Sequence, residues 1–222
     1  MPNRAPALDW DEAADRPDPD GGLTRAAVVE AAIAIADAAG LDAVSMRRLA
    51  SALGVRPMSL YTHVASKDDL VDLMLNGVVA AVLVPEPLPA DWRAALRAVA
   101  VHSYRAFVAH PWALEAFGRR PHVGPSVLRH AEQSAAAVAP LGLDAEDAWQ
   151  VLGIVDEWTL GHAVRGIAFD EEDVRRRLPE IDPALYPHLH RMGYPGAGTS
   201  ERAFEDGLEV VLDGIEQRYA HR

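Results

Sequence analysis

Val28, Ala31, Ala32, Ile35 and Ala39 recur at three- and four-residue steps between Thr24 and Gly40, the spacing that lines one face of a helix. Thr24 stands where an N-cap belongs and Gly40 where a helix stops, so the first element is predicted between them. Ser45 caps a second helix, in which Met46, Leu49, Ala50 and Leu53 share a face before Gly54 ends it. A third starts near Pro57, whose missing N–H is not needed in a helix's first turn. Ser66 caps a fourth, KDDLVDLMLNGVVAAVLV, with Asp68 and Asp69 in the first turn, where the helix dipole favours negative charge.

PEPLPAD breaks this run, and Trp92, Leu96, Val99, Ser103 and Phe107 then mark a fifth helix that ends before Pro111. Shorter helices are predicted over WALEAFG and SVLRHAEQSAAAVA, a long one from Asp144 to about Ala168, and a final one from about Ser200 after the loop-rich LPEIDPALYPHLHRMGYPGAG. No β alternation is visible, so the chain reads as all-α. Residues 1–22, rich in Pro, Asp and Gly without an apolar period, read as a disordered acidic arm.

The long helix is apolar on opposite sides: Trp149, Leu152, Leu160 and Ile167 mark one, Ile154, Trp158 and Gly161 the other. A helix apolar all round is buried all round. Its own core would cover one side and a partner subunit the other, as in a four-helix dimer interface. The last helix places Phe204, Leu208, Val211, Leu212, Ile215 and Tyr219 on one stripe, while Gly207 and Gly214, seven apart, would let another helix approach closely.

Charge changes the picture only once it is divided. The net charge of -12 argues against a nucleic-acid partner, because phosphate binding needs clustered Lys and Arg. Residues 1–22 carry -4, residues 23–75 only -1, and residues 76–222 the remaining -7. Arg47, Arg48, Arg56 and Lys67 form a local basic group in the near-neutral part. The absence of cysteine excludes disulfides, thiolate zinc sites and cysteine nucleophiles. No apolar stretch reaches the ~18 residues of a membrane span, so a cytoplasmic protein with no membrane partner is expected.

The third helix buries little. With Leu60 and Val64 inward, Met58, Ser59 and Thr62 lie on the far side with Tyr61 and His63 flanking, a set able to read base edges, thymine methyls and phosphates. Two helices joined by a tight turn at Gly54, the second too polar for a core, make a helix-turn-helix, whose second helix enters the DNA major groove.

SMRRLASALGVRPMSLYTHVASKDDLVDLM resembles the DNA-binding segment of TetR-type repressors, over roughly residues 23–84. AFEDGLEVVLDGIE and WTLGHAV resemble the terminal and dimer-forming helices of the branch nearest the tetracycline repressor. The resemblance implies a helix-turn-helix domain over 23–66 and a helical ligand-binding and dimerisation domain over 67–222, with 67–84 as connecting helix. It also implies a homodimer on a palindromic double-stranded DNA operator, released by a small molecule. Position by position, it places Ser45 and Arg47 at the DNA, with Arg47 reading a base. Arg56, Pro57 and Met58 would line the groove, Tyr61, Thr62 and His63 would touch bases or phosphates, and Lys67 a phosphate. Thr62 stands where the family often has a large aromatic. The arm is acidic where many relatives are basic, so no minor-groove contact by it is expected.

Ile154, Trp158, Gly161, Gly207 and Gly214 are the expected dimer contacts. Effector pockets are mostly apolar with a few polar groups, and His102, Tyr104, Trp112, Phe117, Trp149 and Asp156 are the candidates, together suggesting an aromatic or polycyclic effector. Two other classes compete. A helical ligand sensor could act on a protein partner instead. A metal-dependent enzyme could use His102 with His110, His122 with His130, or Asp156 with Glu157, but no HExxH, GxSxG, P-loop or GxGxxG is present, and histidines eight apart lie more than two helical turns from each other. Neither a cofactor nor a metal is expected.

Overall fold

The computed structural model describes Trp10, residues 22–119, 124–168, Arg176, 182–192 and 200–219. No strand occurs among them. They form two compact units, residues 1–83 with 109–133 and residues 84–108 with 134–222.

In the first unit, α1 (Arg25–Ala39) starts at Thr24, whose side chain accepts the Ala27 N–H at 3.0 Å, and buries Val28, Ala32, Ile35 and Ala36. A short 3-10 turn over Leu41–Ala43 leads to α2 (Met46–Leu53), capped by Ser45 Oγ on the Arg48 N–H. Gly54 ends α2 at φ 68°, in the left-handed region where a side chain is strained, and the Val55 N–H closes back on the Ala50 carbonyl at 3.0 Å. α3 (Pro57–Leu60) follows at once, with Pro57 in its first turn. α4 (Lys67–Val82) starts at Ser66, which accepts the Asp69 N–H at 3.1 Å. Leu49, Leu60, Leu70, Met74 and Leu75 close the core.

This unit extends past the boundary at residue 66 expected from the sequence. It takes in α4, α6 (Pro111–Arg119) and the start of α7 (Pro125–Val138). Polar contacts explain the grouping. Trp112, buried on α6, donates from Nε1 to Asp37 Oδ1 on α1 at 2.7 Å, and His110 Nδ1 donates to the same oxygen at 2.7 Å. Asn76 of α4 accepts the Ser126 N–H at 2.9 Å. Of the expected arm only Trp10 and Gly22 are described, and a Cβ on Gly124 would meet the Trp10 ring; the rest lies outside the described residues.

The second unit holds most of α5 (Trp92–Ala109), α8 (Ala145–Ala168), α9 (Pro187–Met192) and α10 (Glu201–Tyr219). α10 buries Phe204, Leu208, Leu212, Ile215 and Tyr219, nearly the stripe read from the sequence. Arg93 of α5 pairs with Glu209 at 2.7 Å, Glu216 at 3.0 Å and Asp213. Arg97 pairs with Glu205 at 2.9 Å and Arg105 with Glu201 at 2.6 Å. These pairs fix the register of α5 against α10, although single solvated pairs contribute little.

α8 departs from its expected two-sided pattern. Its buried face is Val151, Leu152, Val155, Thr159, His162 and Ala163. Leu160 and Ile167, expected on a covered side with Leu152, are exposed instead. Apolar counting passes over Thr159, which is accommodated by donating its hydroxyl to the Val155 carbonyl at 2.8 Å.

Candidate nucleic-acid interface and effector domain

Leu60 and Val64 anchor the recognition segment by burying completely, or nearly so, in the first unit. Regular helix covers only Pro57–Leu60. Past it, the Leu60 carbonyl accepts both the His63 and Val64 N–H groups at 3.0 Å, and Thr62 donates its hydroxyl to Ser59 at 2.7 Å. This turn tilts Tyr61 and Thr62 outward.

Ser45, Arg47, Arg56, Pro57, Met58, Tyr61, Thr62 and Lys67 are all exposed, Met58 to 74%. Arg48 joins them. Among the described residues none of Arg47, Arg48, Arg56 and Lys67 forms an ion pair, in a chain with a large acidic excess. Unneutralised cations around an exposed Met and Tyr suit a polyanion. His63 differs from its expected flanking place: its side chain is buried and its carbonyl accepts Arg25 Nε at 3.1 Å. The tight turn after Leu60 swings its side chain inward, away from the exposed face that carries Tyr61 and Thr62.

The six effector candidates fall in different places. Trp112 and the half-buried Phe117 belong to the first unit, where Trp112 is committed to Asp37. His102, Tyr104, Trp149 and Asp156 belong to the second. His102 is half-buried. Tyr104 is buried and stacks on Phe204 at 4.2 Å, and burial raises its phenol above the usual range. Trp149, 71% exposed, edges an apolar hollow of about 190 Å³ with Ala135, Val138, Leu143, Ala148 and Leu152, below the ~300 Å³ at which ligand pockets usually begin. Asp156 meets solvent on the single chain, yet surrounding protein pushes its carboxyl up to about 6.

The expected dimer contacts also divide. Ile154, Gly161 and Gly214 are exposed, and a Cβ at Gly161 or Gly214 would meet nothing within 4 Å. Gly207 differs: the Trp158 indole of the same chain lies over it, donating Nε1–H to the Phe204 carbonyl at 3.3 Å. The close approach that Gly207 permits is therefore intramolecular, between α8 and α10.

His122 lies outside the described residues, and His110 is engaged with Asp37. Among the described residues no three His, Asp or Glu side chains gather as metal ligands would, and no helix is long and apolar enough to cross a membrane. Sequence reading missed His162. It is 7% exposed on the core face of α8, with ring centroids of Trp158 and Phe204 at 5.5 Å and of Tyr104 at 5.6 Å. Its place one turn after Thr159 on the buried face was the available signal.

Residues 28–74 match the family model for bacterial regulatory proteins of the tetR family, and residues 84–219 that for the tetracyclin repressor-like C-terminal domain. The HTH-type transcriptional repressor DrrR1 of Streptomyces coeruleorubidus is 35% identical, over 90% of this chain and 80% of its own length. Two crystal structures of the Streptomyces coelicolor TetR family protein ActR are similar. The complex with actinorhodin has a TM-score of 0.74 at 30% identity, covering 90% of this chain and 99% of that one. The complex with (S)-DNPA has 0.73 at 31%, covering 87% and 96%. The exposed recognition segment coincides with the first match and the α5, α8 and α10 scaffold with the second, so the chain belongs to the TetR family of bacterial regulatory proteins and is a ligand-responsive DNA-binding transcriptional regulator.

Proposed function

We propose that the chain represses transcription as a homodimer on a palindromic operator and is released by a small aromatic or polycyclic effector bound in its second unit. The carrying observation is the exposed, unneutralised set Arg47, Arg56, Met58, Tyr61, Thr62 and Lys67 around a buried Leu60 and Val64. In this reading Arg47 and Met58 face bases, Tyr61 and Thr62 bases or phosphates, and Lys67 a phosphate. Release by a ligand is supported by the ActR complexes with actinorhodin and (S)-DNPA; Tyr104 and Asp156 remain candidate contacts.

Dimerisation is supported by the face that α8 and α10 leave uncovered. Leu160, Val164 and Ile167 are exposed on α8, and Val210, 70% exposed, lies one turn from Gly214 on α10. Two recognition segments related by a two-fold axis need half-sites about one helical turn apart or a multiple of it. The test is selection of DNA from a random pool, with mass by light scattering. A palindrome bound by a dimer, and weakened binding by monomeric Gly214→Leu, is expected. Asymmetric selected sites, or none, would overturn the reading.

A further inference from the structure

The recognition segment is mounted on few side chains. Within α3 the buried residue is Leu60, and Val64, one turn on, is the next apolar anchor. Two anchors one turn apart fix the line of the segment but not its roll about that line, and the roll aims Tyr61 and Thr62. A third contact lies off the line. Arg25, the first residue of α1, donates from Nε to the His63 carbonyl at 3.1 Å, across 38 residues of chain. That carbonyl stands beyond Leu60, where regular helix has ended and its ladder no longer supplies a donor. Arg25 is also a poor choice for α1 itself. A cation in a helix's first turn meets the positive end of the helix dipole, and α1 has no acid in that turn to offset it. Helix formation therefore does not account for the arginine, whereas its bond to His63 does.

We infer that Arg25 is a positioning residue for DNA recognition, whose Nε–H bond to the His63 carbonyl sets the roll of the segment that presents Tyr61 and Thr62 to the bases. It acts through the backbone it holds and needs no contact of its own with DNA. Side chains that read base edges must meet hydrogen-bond distances of about 3 Å, and supporting hydrogen bonds of this kind keep such groups in range. Long Arg and Lys chains on phosphates tolerate the same roll, so loss of the bond weakens operator binding and spares non-specific binding. The inference rests on reading residues 57–64 as the base-facing segment.

Arg25→Gln and Arg25→Met make the test. Glutamine Nε2 falls at the same place along the side chain as arginine Nε, and methionine is as long but has no donor there. Both variants lose one charge, so the comparison between them is free of any charge effect. Fluorescence anisotropy of the full-length variants is measured on the operator selected from a random pool and on a random-sequence duplex of the same length, over a range of salt, with melting curves. Arg25→Gln should keep the wild-type ratio of operator to random-duplex affinity. Arg25→Met should lose about tenfold in that ratio, the weight of one net hydrogen bond, while matching Arg25→Gln in random-duplex affinity and salt slope. Equal ratios in the two variants would overturn the assignment, as would an Arg25→Met protein weakened alike on both duplexes, which would make Arg25 a prop of the domain. Should Arg25→Met fail to fold, Arg25→Gln decides alone: a preserved ratio supports the assignment and a fallen one overturns it. A wild type that selects no operator removes the base-facing reading as a whole, whereas a selected operator bound alike by both variants removes only the role of Arg25.

Discussion

Gly207 permits a quantitative test of the α8–α10 contact. Alanine should stabilise an exposed helix interior by about 1 kcal/mol over glycine. Here the added Cβ would overlap the Trp158 ring at Cζ2 and Cη2 and stand 3.2 Å from Cε2. A ring cannot yield as the end of a flexible chain does, so the indole must swing away. Overpacking costs about 1–3 kcal/mol, and losing the hydrogen bond to the Phe204 carbonyl adds about 1 kcal/mol. The steric and hydrogen-bond terms outweigh propensity, so Gly207→Ala should destabilise by about 1–3 kcal/mol, a fall in Tm of roughly 2–4 °C per kcal/mol for a chain of this size. With Trp158→Ala already present the obstacle is gone, and the same change should stabilise by about 1 kcal/mol. Urea denaturation of the four proteins of this cycle measures both values. A Gly207→Ala protein more stable than wild type, or a cycle with no coupling, would refute the packing of Trp158 on Gly207.

Other perturbations separate recognition from packing. Tyr61→Ala and Lys67→Ala should each weaken binding to the selected operator by about 1–3 kcal/mol with Tm almost unchanged, because both side chains are exposed; fluorescence anisotropy and melting curves check this, and normal binding would remove the residue from the interface. Trp112→Phe should cost about 1–2 kcal/mol in urea denaturation, since it keeps the buried ring but abandons Asp37. Asp156 has a folded-state pKa raised from 3.8 to about 6 by burial, so folding favours its protonated form; that contribution is present at low pH and is lost as pH rises from about 4 through about 6. Asp156→Asn should flatten the pH dependence in that window and raise stability at pH 7, by less than a sealed group would because the side chain meets water; an unchanged profile would show that the carboxyl titrates normally.

The DNA-binding half was legible in the sequence because each signal there is local. Thr24, Ser45 and Ser66 cap the helices that follow them in the pattern, and Gly54 takes the left-handed turn its position implies. His63 was not legible: its direction depends on helix giving way to a tight turn after Leu60, and a uniform rotation of 100° per residue carries it to the wrong side. The attachment of α6 to α1 was hidden for a different reason. Asp37 and Trp112 are 75 residues apart, and no periodicity links them.

α8 shows what apolar counting trades away. Trp149, Leu160 and Ile167 look like core in sequence yet stand exposed on the single chain, while Thr159 and His162 look like surface and are buried. Thr159 resolves its own burial within the helix by bonding the preceding turn. His162 has no such local solution for Nε2. A helix whose outer face keeps apolar side chains in water and whose inner face keeps an unmade acceptor is suboptimal as a monomer on both sides. Exposed apolar area of this kind marks a surface for association, whereas an unmade buried acceptor is a plain cost to the fold. The proposed homodimer would cover the outer face, where Leu160, Val164 and Ile167 stand exposed.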